Sequence, residues 1–326
     1  MSGADVIIIG AGALGSAVAA ELSLRGRRVA VLAPDEVSAS ARAAGMIAPA
    51  FESVLDQPEH ADILRQAAGL WPDFAAATGV RLYREGAEWR GGDPAAMAAR
   101  LEALGFRAEQ SGGTVLVRDE ARVDPEQALV ALAESVDRHF GTAVALGEGG
   151  GRHEVRTDSG ETLRAGAVVL ATGWAPPACG LVLPPIRPIK GQAMWLKGPA
   201  PERVLRGEGV YVAPRPGGVM VGATMGDGES DIGIDPEVTR TLMDRAIAIW
   251  PELAGAELVE AYAGIRGASP DGLPYAGRLA PGVHAALAPR RNGWLLAPLV
   301  ARIVADAMEG GDPDAMAEAM DPGRLT

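Results

Sequence analysis

The sequence predicts an α/β fold in which a parallel, Rossmann-type sheet is interleaved with a mixed or antiparallel β-sheet domain. Three observations carry this: a strand–glycine loop–helix–strand series at the start of the chain, a second apolar strand far downstream, and a middle region of short alternating runs cut by Gly and Pro.

The first element is the β-branched run Val6-Ile7-Ile8-Ile9, broken by Gly10-Ala11-Gly12-Ala13-Leu14-Gly15. Leu14 to Arg25 has helical composition, and Arg28 to Leu32 is apolar again, which completes a βαβ unit. Ala167 to Ala171 reads as another strand ending in Thr172-Gly173, so the chain returns to the same sheet after an excursion. Asp-Pro pairs at Asp93-Pro94, Asp124-Pro125 and Asp235-Pro236 mark helix starts, with Asp accepting bonds from free amides and Pro at the first helical position. Between Pro184 and Gly226 the runs Gln192 to Leu196, Gly209 to Ala213 and Val219 to Ala223 alternate as antiparallel strands do. Gly147 to Gly151 suits a hairpin tip, and a final helix runs from about Leu295 to Met308 after the turn Asn292-Gly293. These elements suggest one unit of residues 1-78, 119-185 and 264-326, and a second of 79-118 and 186-263.

Composition narrows the partners. The chain has 326 residues, 48% hydrophobic, enough to bury two cores of ordinary size. A net charge of −12 without a basic tract argues against nucleic acid and against an anionic membrane surface, leaving a small molecule as the expected partner. The single cysteine, Cys179, excludes an intrachain disulfide and a Cys-based metal cluster, and His60, His139, His153 and His284 show no ligand spacing, so no metal is expected. Val6 to Ile9 is too short to span a bilayer, so the expectation is no membrane span and a cytoplasmic protein. A homo-oligomer is compatible with all of this.

The G-x-G-x-x-G loop gains its value from its strand-before, helix-after context. Gly10 permits the turn, Gly12 lets a pyrophosphate approach backbone, and Gly15 lets helix and strand pack closely, while Ala13 and Leu14 open the helix whose free amides face the phosphates. The second strand should end in an acid that bonds the ribose hydroxyls. That position is Ala33, and the nearest carboxylates are Asp35 and Glu36, so dinucleotide binding without this contact should be weaker.

This loop alone does not separate NAD from FAD. The stretch Ser38 to Pro49, with Arg42, Ala43, Ala44, Gly45 and Met46 at its core, resembles the flavin-contacting loop of the D-amino-acid oxidase superfamily of FAD-dependent oxidoreductases. Ala171-Thr172-Gly173-Trp174 resembles its second FAD motif, and Pro188 to Gln192 the entry to its substrate domain. Val221 to Met225, Ala263 to Gly267, Pro270 to Pro274 and Arg291 to Pro298 resemble the glycine oxidase branch, which serves thiamine biosynthesis. From Phe51 to about Leu116 only the general character matches.

The resemblance implies non-covalent FAD, because Cys179 does not occupy the position of the covalent flavin linkage of sarcosine oxidase. It implies oxidation of a small amino acid or secondary amine, with hydride passing from Cα to flavin N5, hydrolysis of the imine and transfer of electrons to oxygen to give hydrogen peroxide. It makes Arg266 and Tyr211 the pair that holds a substrate carboxylate, Met225 a pocket residue, and Arg291 a source of charge near the flavin. Gly264, Arg266, Arg291, Asn292, Gly293, Trp294 and Leu295 join the cofactor-binding set, with the start of the last helix facing the reduced flavin's negative charge. Where the branch often has histidine and an aromatic residue, this chain has Pro289 and Arg290, and two readings stay open: a second cation that favours a substrate with a further acidic group, or an arginine that faces solvent as most do. Two alternatives stay open: a dehydrogenase with an acceptor other than oxygen, and a catalytically idle flavin-binding protein.

Overall fold

The computed structural model describes residues 3–174 and 182–325. Cys179 and the expectation attached to it lie outside the described residues.

The glycine loop sits at the centre of a six-stranded sheet. Its strands follow the order Tyr275–Ala280, Val283–Leu287, Ala167–Leu170, Val6–Ile9, Val29–Ala33 and Asp137–Phe140, all parallel except for the first pair. Val6 and Ile8 face one core, packed under the helices Ala13–Leu24, Ala61–Thr78 and Gly293–Glu309. Ile7 and Ile9 face another, covered by a three-stranded antiparallel sheet of Ala143–Gly149, Arg152–Thr157 and Thr162–Ala165. Burial on both faces explains why the first strand reads as an unbroken apolar run. Gly150 and Gly151 form the expected hairpin tip with positive φ.

A mixed sheet of nine strands forms the second large layer, beside a small antiparallel sheet of Met46–Ile47, Ala121–Val123 and Leu82–Tyr83. The backbone of the nine-stranded sheet is the long antiparallel pair Arg187–Lys197 and Glu257–Ala268, continued through Gly218–Gly222, Val210–Arg215 and Val204–Gly207. Val204–Gly207 then pairs in parallel with Ala87–Trp89. One face, with Met194, Leu196, Val212 and Val221, is closed by the helix Pro236–Ile249. The other packs on the short helix Pro49–Leu55 and the loop before it, through Trp89, Ala193, Tyr211 and Tyr262.

The three Asp-Pro signals are helix caps. Asp93 accepts from the amides of Ala95 and Ala96, Asp124 from Gln127, and Asp235 from Glu237. The last helix begins at Gly293, two residues before the sequence expectation; Asn292 precedes it, its carbonyl accepting from Leu296 N while its side-chain amide donates to Gln57 Oε1. Among the described residues no helix is long and apolar enough to cross a membrane.

Candidate active site

Over one face of the nine-stranded sheet, a cleft of about 780 Å³, part of it open to solvent, is walled by segments distant in sequence. The loop Arg42 to Met46 forms one side, the turn at Arg291, Asn292 and Trp294 another, and the nine-stranded sheet the floor. Register explains the floor. Arg206, Tyr211, Gly222, Ala193 and Tyr262 lie opposite one another in a row across five strands. The next positions on that face are Gly191 opposite Gly264, then Ile189 opposite Arg266. Side chains of one face therefore converge on one point, which the alternation of each strand alone does not reveal.

Arg266 is the half-buried charge of this floor. Its guanidinium donates to Thr224 O at 3.1 Å and approaches Met225 Sδ at 3.4 Å, and among the described residues no carboxylate lies within ion-pair distance. Burial pushes its pKa down, although a guanidinium stays protonated at neutral pH. Its place depends on Gly191, where a Cβ would fall inside 3.0 Å of Nη1, Nη2 and Cζ of Arg266. Gly222 does the same for Tyr211, whose hydroxyl and ring would meet a Cβ there. Burial raises the Tyr211 pKa, which keeps the hydroxyl neutral and able to donate.

At the cleft wall and behind it is a group of charges that the sequence reading missed, of which Glu52 lines the cleft and Arg206 and Glu120 lie behind it. Glu52, 4% exposed, accepts from Arg206 Nη2 at Oε1, 2.8 Å away, and its Oε2 lies 2.8 Å from Arg291 Nε. Burial opposes its ionisation, but Arg291 and Arg206 outweigh that and hold its pKa below the ordinary carboxylate value. Arg206, 2% exposed, also contacts Met46 Sδ at 3.0 Å and so braces the loop on the other wall. Glu120, 2% exposed, accepts from Phe51 N at 2.8 Å. Burial pushes its pKa up to about 8 despite nearby Arg206, so it is neutral at pH 7. The signal for Glu52 was available as a lone acid in the apolar stretch Pro49 to Leu55; that of Arg206 was not.

The structure brings Arg42, Ala43, Ala44, Gly45, Met46, Tyr211, Met225, Gly264, Arg266, Arg291, Asn292 and Trp294 to the cleft wall. Gly293 and Leu295 stand behind that wall, in the first turn of the last helix, held where Trp71 Nε1 donates to the carbonyls of Trp294 and Leu295. Gly10, Gly12, Ala13, Leu14 and Gly15 are at the end of the first strand and the start of its helix, with Ala171 against them: a Cβ on Gly10 would strike Ala171 O, and one on Gly15 would strike Gly10 O. Ser40 joins this loop to the cleft, its Oγ accepting from Ala13 N at 2.9 Å and its carbonyl from Trp294 Nε1 at 3.1 Å. Asp35 is exposed on the loop after the second strand and does not reach the cleft, and Ala33 ends that strand half-buried. None of the four histidines lines the cleft.

Arg290 departs from the expectation placed on it. It is ion-paired with Asp56, both partners being largely buried, and it is not a lining residue. Its backbone, at φ 52, turns the side chain to that partner while its N–H bonds Gly267 O at 2.8 Å. Its charge is therefore compensated and supplies no second anchor for an acidic substrate.

The residues present fit a flavin dinucleotide. The helix cap Gly12 brings no side-chain acceptor of its own, and Ser40 Oγ takes only the Ala13 amide, which leaves the other first-turn amides for phosphate oxygens. The buried hydroxyl of Thr172 has no hydrogen-bond partner among the described residues, Gly173 is at φ 75, and Gly267 lies so close to Gly173 and Trp174 that a Cβ has no room.

Comparison with known proteins defines the class. Residues 5–307 match the family described as FAD dependent oxidoreductase (DAO), and the chain belongs to that family. FAD is its cofactor. Among its relatives, the glycine oxidase of Geobacillus kaustophilus is 30% identical over 94% of this chain and 93% of its own length. The bifunctional protein ThiO/ThiG of Nostoc sp. is 34% identical over 93% of this chain, and the chain spans 52% of that relative's length. The crystal structure of glycine oxidase from Geobacillus kaustophilus superposes with a TM-score of 0.84 at 25% identity, covering 99% of each chain. Iminodiacetate oxidase from Chelativorans sp. BNC1, at 21% identity and a TM-score of 0.83, has the same fold over 97% of this chain and 98% of its own.

Proposed function

We propose that this protein uses non-covalently bound FAD to oxidise a small α-amino acid or N-substituted glycine, in keeping with its glycine oxidase relatives. The observation that carries the reading is Arg266: a half-buried guanidinium on the cleft floor, which it shares with Tyr211, without a carboxylate partner among the described residues. Burying a cation costs free energy unless an anion or hydrogen bonds offset it, and a substrate carboxylate provides both in bidentate form.

Residues 1-78, 119-185 and 264-326 would hold the cofactor, and 79-118 with 186-263 the substrate. Gly10 to Gly15 with Thr172 to Trp174 would take the dinucleotide part, and Ala43 to Met46, Gly264 and Asn292 to Leu295 the ring. FAD supplies the acceptor for a hydride equivalent from the substrate Cα. The chain's own residues orient the substrate: Arg266 and Tyr211 fix its carboxylate, Met225 and the small residues Gly191, Ala193 and Ala223 leave space at Cα, and Arg291 adds positive charge at the far wall. No histidine is required as a base, so the amine must arrive unprotonated and the rate should rise toward alkaline pH. With its one cysteine in a chain of this composition, we place the reaction in the cytoplasm.

The experiment is anaerobic flavin reduction with glycine, sarcosine, D-alanine, D-proline, D-aspartate and amines lacking a carboxylate. Fast reduction by the amino acids is expected, and faster reduction by the uncharged amines would reject the carboxylate clamp. Peroxide yield under air then separates an oxidase from a dehydrogenase.

A further inference from the structure

One carboxylate at the cleft wall serves two guanidiniums, and it serves them unequally. Glu52 Oε2 lies 2.8 Å from Arg291 Nε, but the second contact of that pair, Oε1 to Arg291 Nη2, is long at 3.4 Å. Oε1 is instead taken by Arg206 Nη2 at 2.8 Å. Burial opposes ionisation of Glu52, and the charges of Arg291, Arg206 and Arg266 together keep it ionised. Three guanidiniums therefore stand against one carboxylate. Glu120, whose pKa burial pushes up to about 8, does not add a second.

The two partners of Glu52 differ in what can reach them. Arg291 lines the cleft, whereas Arg206 is buried and is not a lining residue. Arg206 is also fixed: its strand, Val204–Gly207, pairs with Val210–Arg215 on one side and Ala87–Trp89 on the other. Its other terminal nitrogen contacts Met46 Sδ at 3.0 Å, and its Cζ lies 5.8 Å from the centre of the Phe51 ring. Without Arg206, Oε1 would be free to close the second contact with Arg291. A two-pronged pair is the geometry that guanidinium and carboxylate favour, and it would cancel the Arg291 charge. We infer that Arg206 is a positioning residue: by drawing Glu52 Oε1 to itself it leaves Arg291 only partly compensated, and so keeps positive charge on the cleft wall for the anion held by Arg266 and Tyr211. This rests on the reading that Arg266 receives the substrate carboxylate.

The probe is acetate, titrated into the protein at saturating FAD and about pH 6, where acetate is ionised and Glu120 protonated, and read by the flavin spectrum and by calorimetry. Arg206→Met should weaken acetate binding at least about fivefold, because Glu52 then closes on Arg291. In a protein already carrying Glu52→Gln, the same replacement should change acetate affinity by less than about twofold, since no carboxylate is left to move. Arg206→Lys, which returns a cation to Oε1, should recover most of the loss. Should Arg206→Met fail to fold, Arg206→Gln takes its place with the same expectations. Acetate affinity within about twofold of wild type in the folded variant overturns the inference. An equal loss with and without Glu52→Gln also overturns it, because Arg206 would then act as a scaffold or as a charge in its own right, and so does failure of Arg206→Lys to recover binding. If acetate does not bind wild type, or binds Arg266→Met equally well, the carboxylate reading itself falls and takes the inference with it.

Discussion

Replacing Gly191 with alanine adds one methyl group to the cleft floor, and the structure indicates what that methyl displaces. Gly191 does not have a positive φ, so alanine is compatible with its backbone and the perturbation is steric alone. The new Cβ would lie inside 3.0 Å of Nη1, Nη2 and Cζ of Arg266, whereas ordinary contact begins near 3.4 Å. The guanidinium must retreat by about 1 Å, enough to break a well-aligned charge-assisted hydrogen bond. Loss of such a bond to a charged group costs about 1.5–3 kcal/mol, roughly 10- to 150-fold in Kd. The assay is acetate titration of the FAD-loaded Gly191→Ala protein, read by flavin absorbance, with FAD content and thermal midpoint measured alongside. Acetate binding should weaken by at least tenfold while FAD content stays at the wild-type level. Binding within twofold of wild type, in a protein that keeps its fold, would show that the position of Arg266 does not matter to the anion and would refute the cradle argument.

Three further outcomes follow from the same structure. Arg266→Ala should weaken apparent substrate binding at least about tenfold with FAD retained, and Arg266→Lys should restore little of it, because an ammonium lacks the two-pronged geometry; steady-state kinetics with FAD content as control decides. Glu120→Gln should flatten the dependence of stability on pH. In the folded protein Glu120 titrates near 8 against an ordinary 4.5, so between those values the native state holds a proton that the unfolded chain has lost. Wild-type stability should therefore fall by up to about 1.4 kcal/mol per pH unit across that window from this group, and urea unfolding from pH 5 to 8 measures whether the variant loses that slope. Ala33→Glu should tighten FAD binding by about tenfold by supplying the ribose contact that the second strand lacks, and an unchanged or weaker Kd for FAD would reject that account.

The sequence by itself determined what depends on neighbours along the chain. Gly10 to Gly15 required a tight turn into a helix start, Val6 to Ile9 and Ala167 to Ala171 were apolar enough for a buried parallel sheet, and three Asp-Pro pairs fixed three helix caps. The family resemblance of Arg42 to Met46, Tyr211, Arg266 and Arg291 to Trp294 named most of the cleft wall, because those residues fall inside short recognisable motifs. Only the tertiary structure decided how the charges pair. Glu52 and Arg206 are more than 150 positions apart in sequence and meet because a helix packs on one face of a sheet whose register sets Arg206 in line with Tyr211, Gly222 and Ala193. Arg290 and Arg291 are adjacent in sequence, yet a turn with positive φ sends one to Asp56 and the other to Glu52 at the cleft wall. Ion pairing between distant residues is set by strand register and packing, which no local pattern of residues encodes.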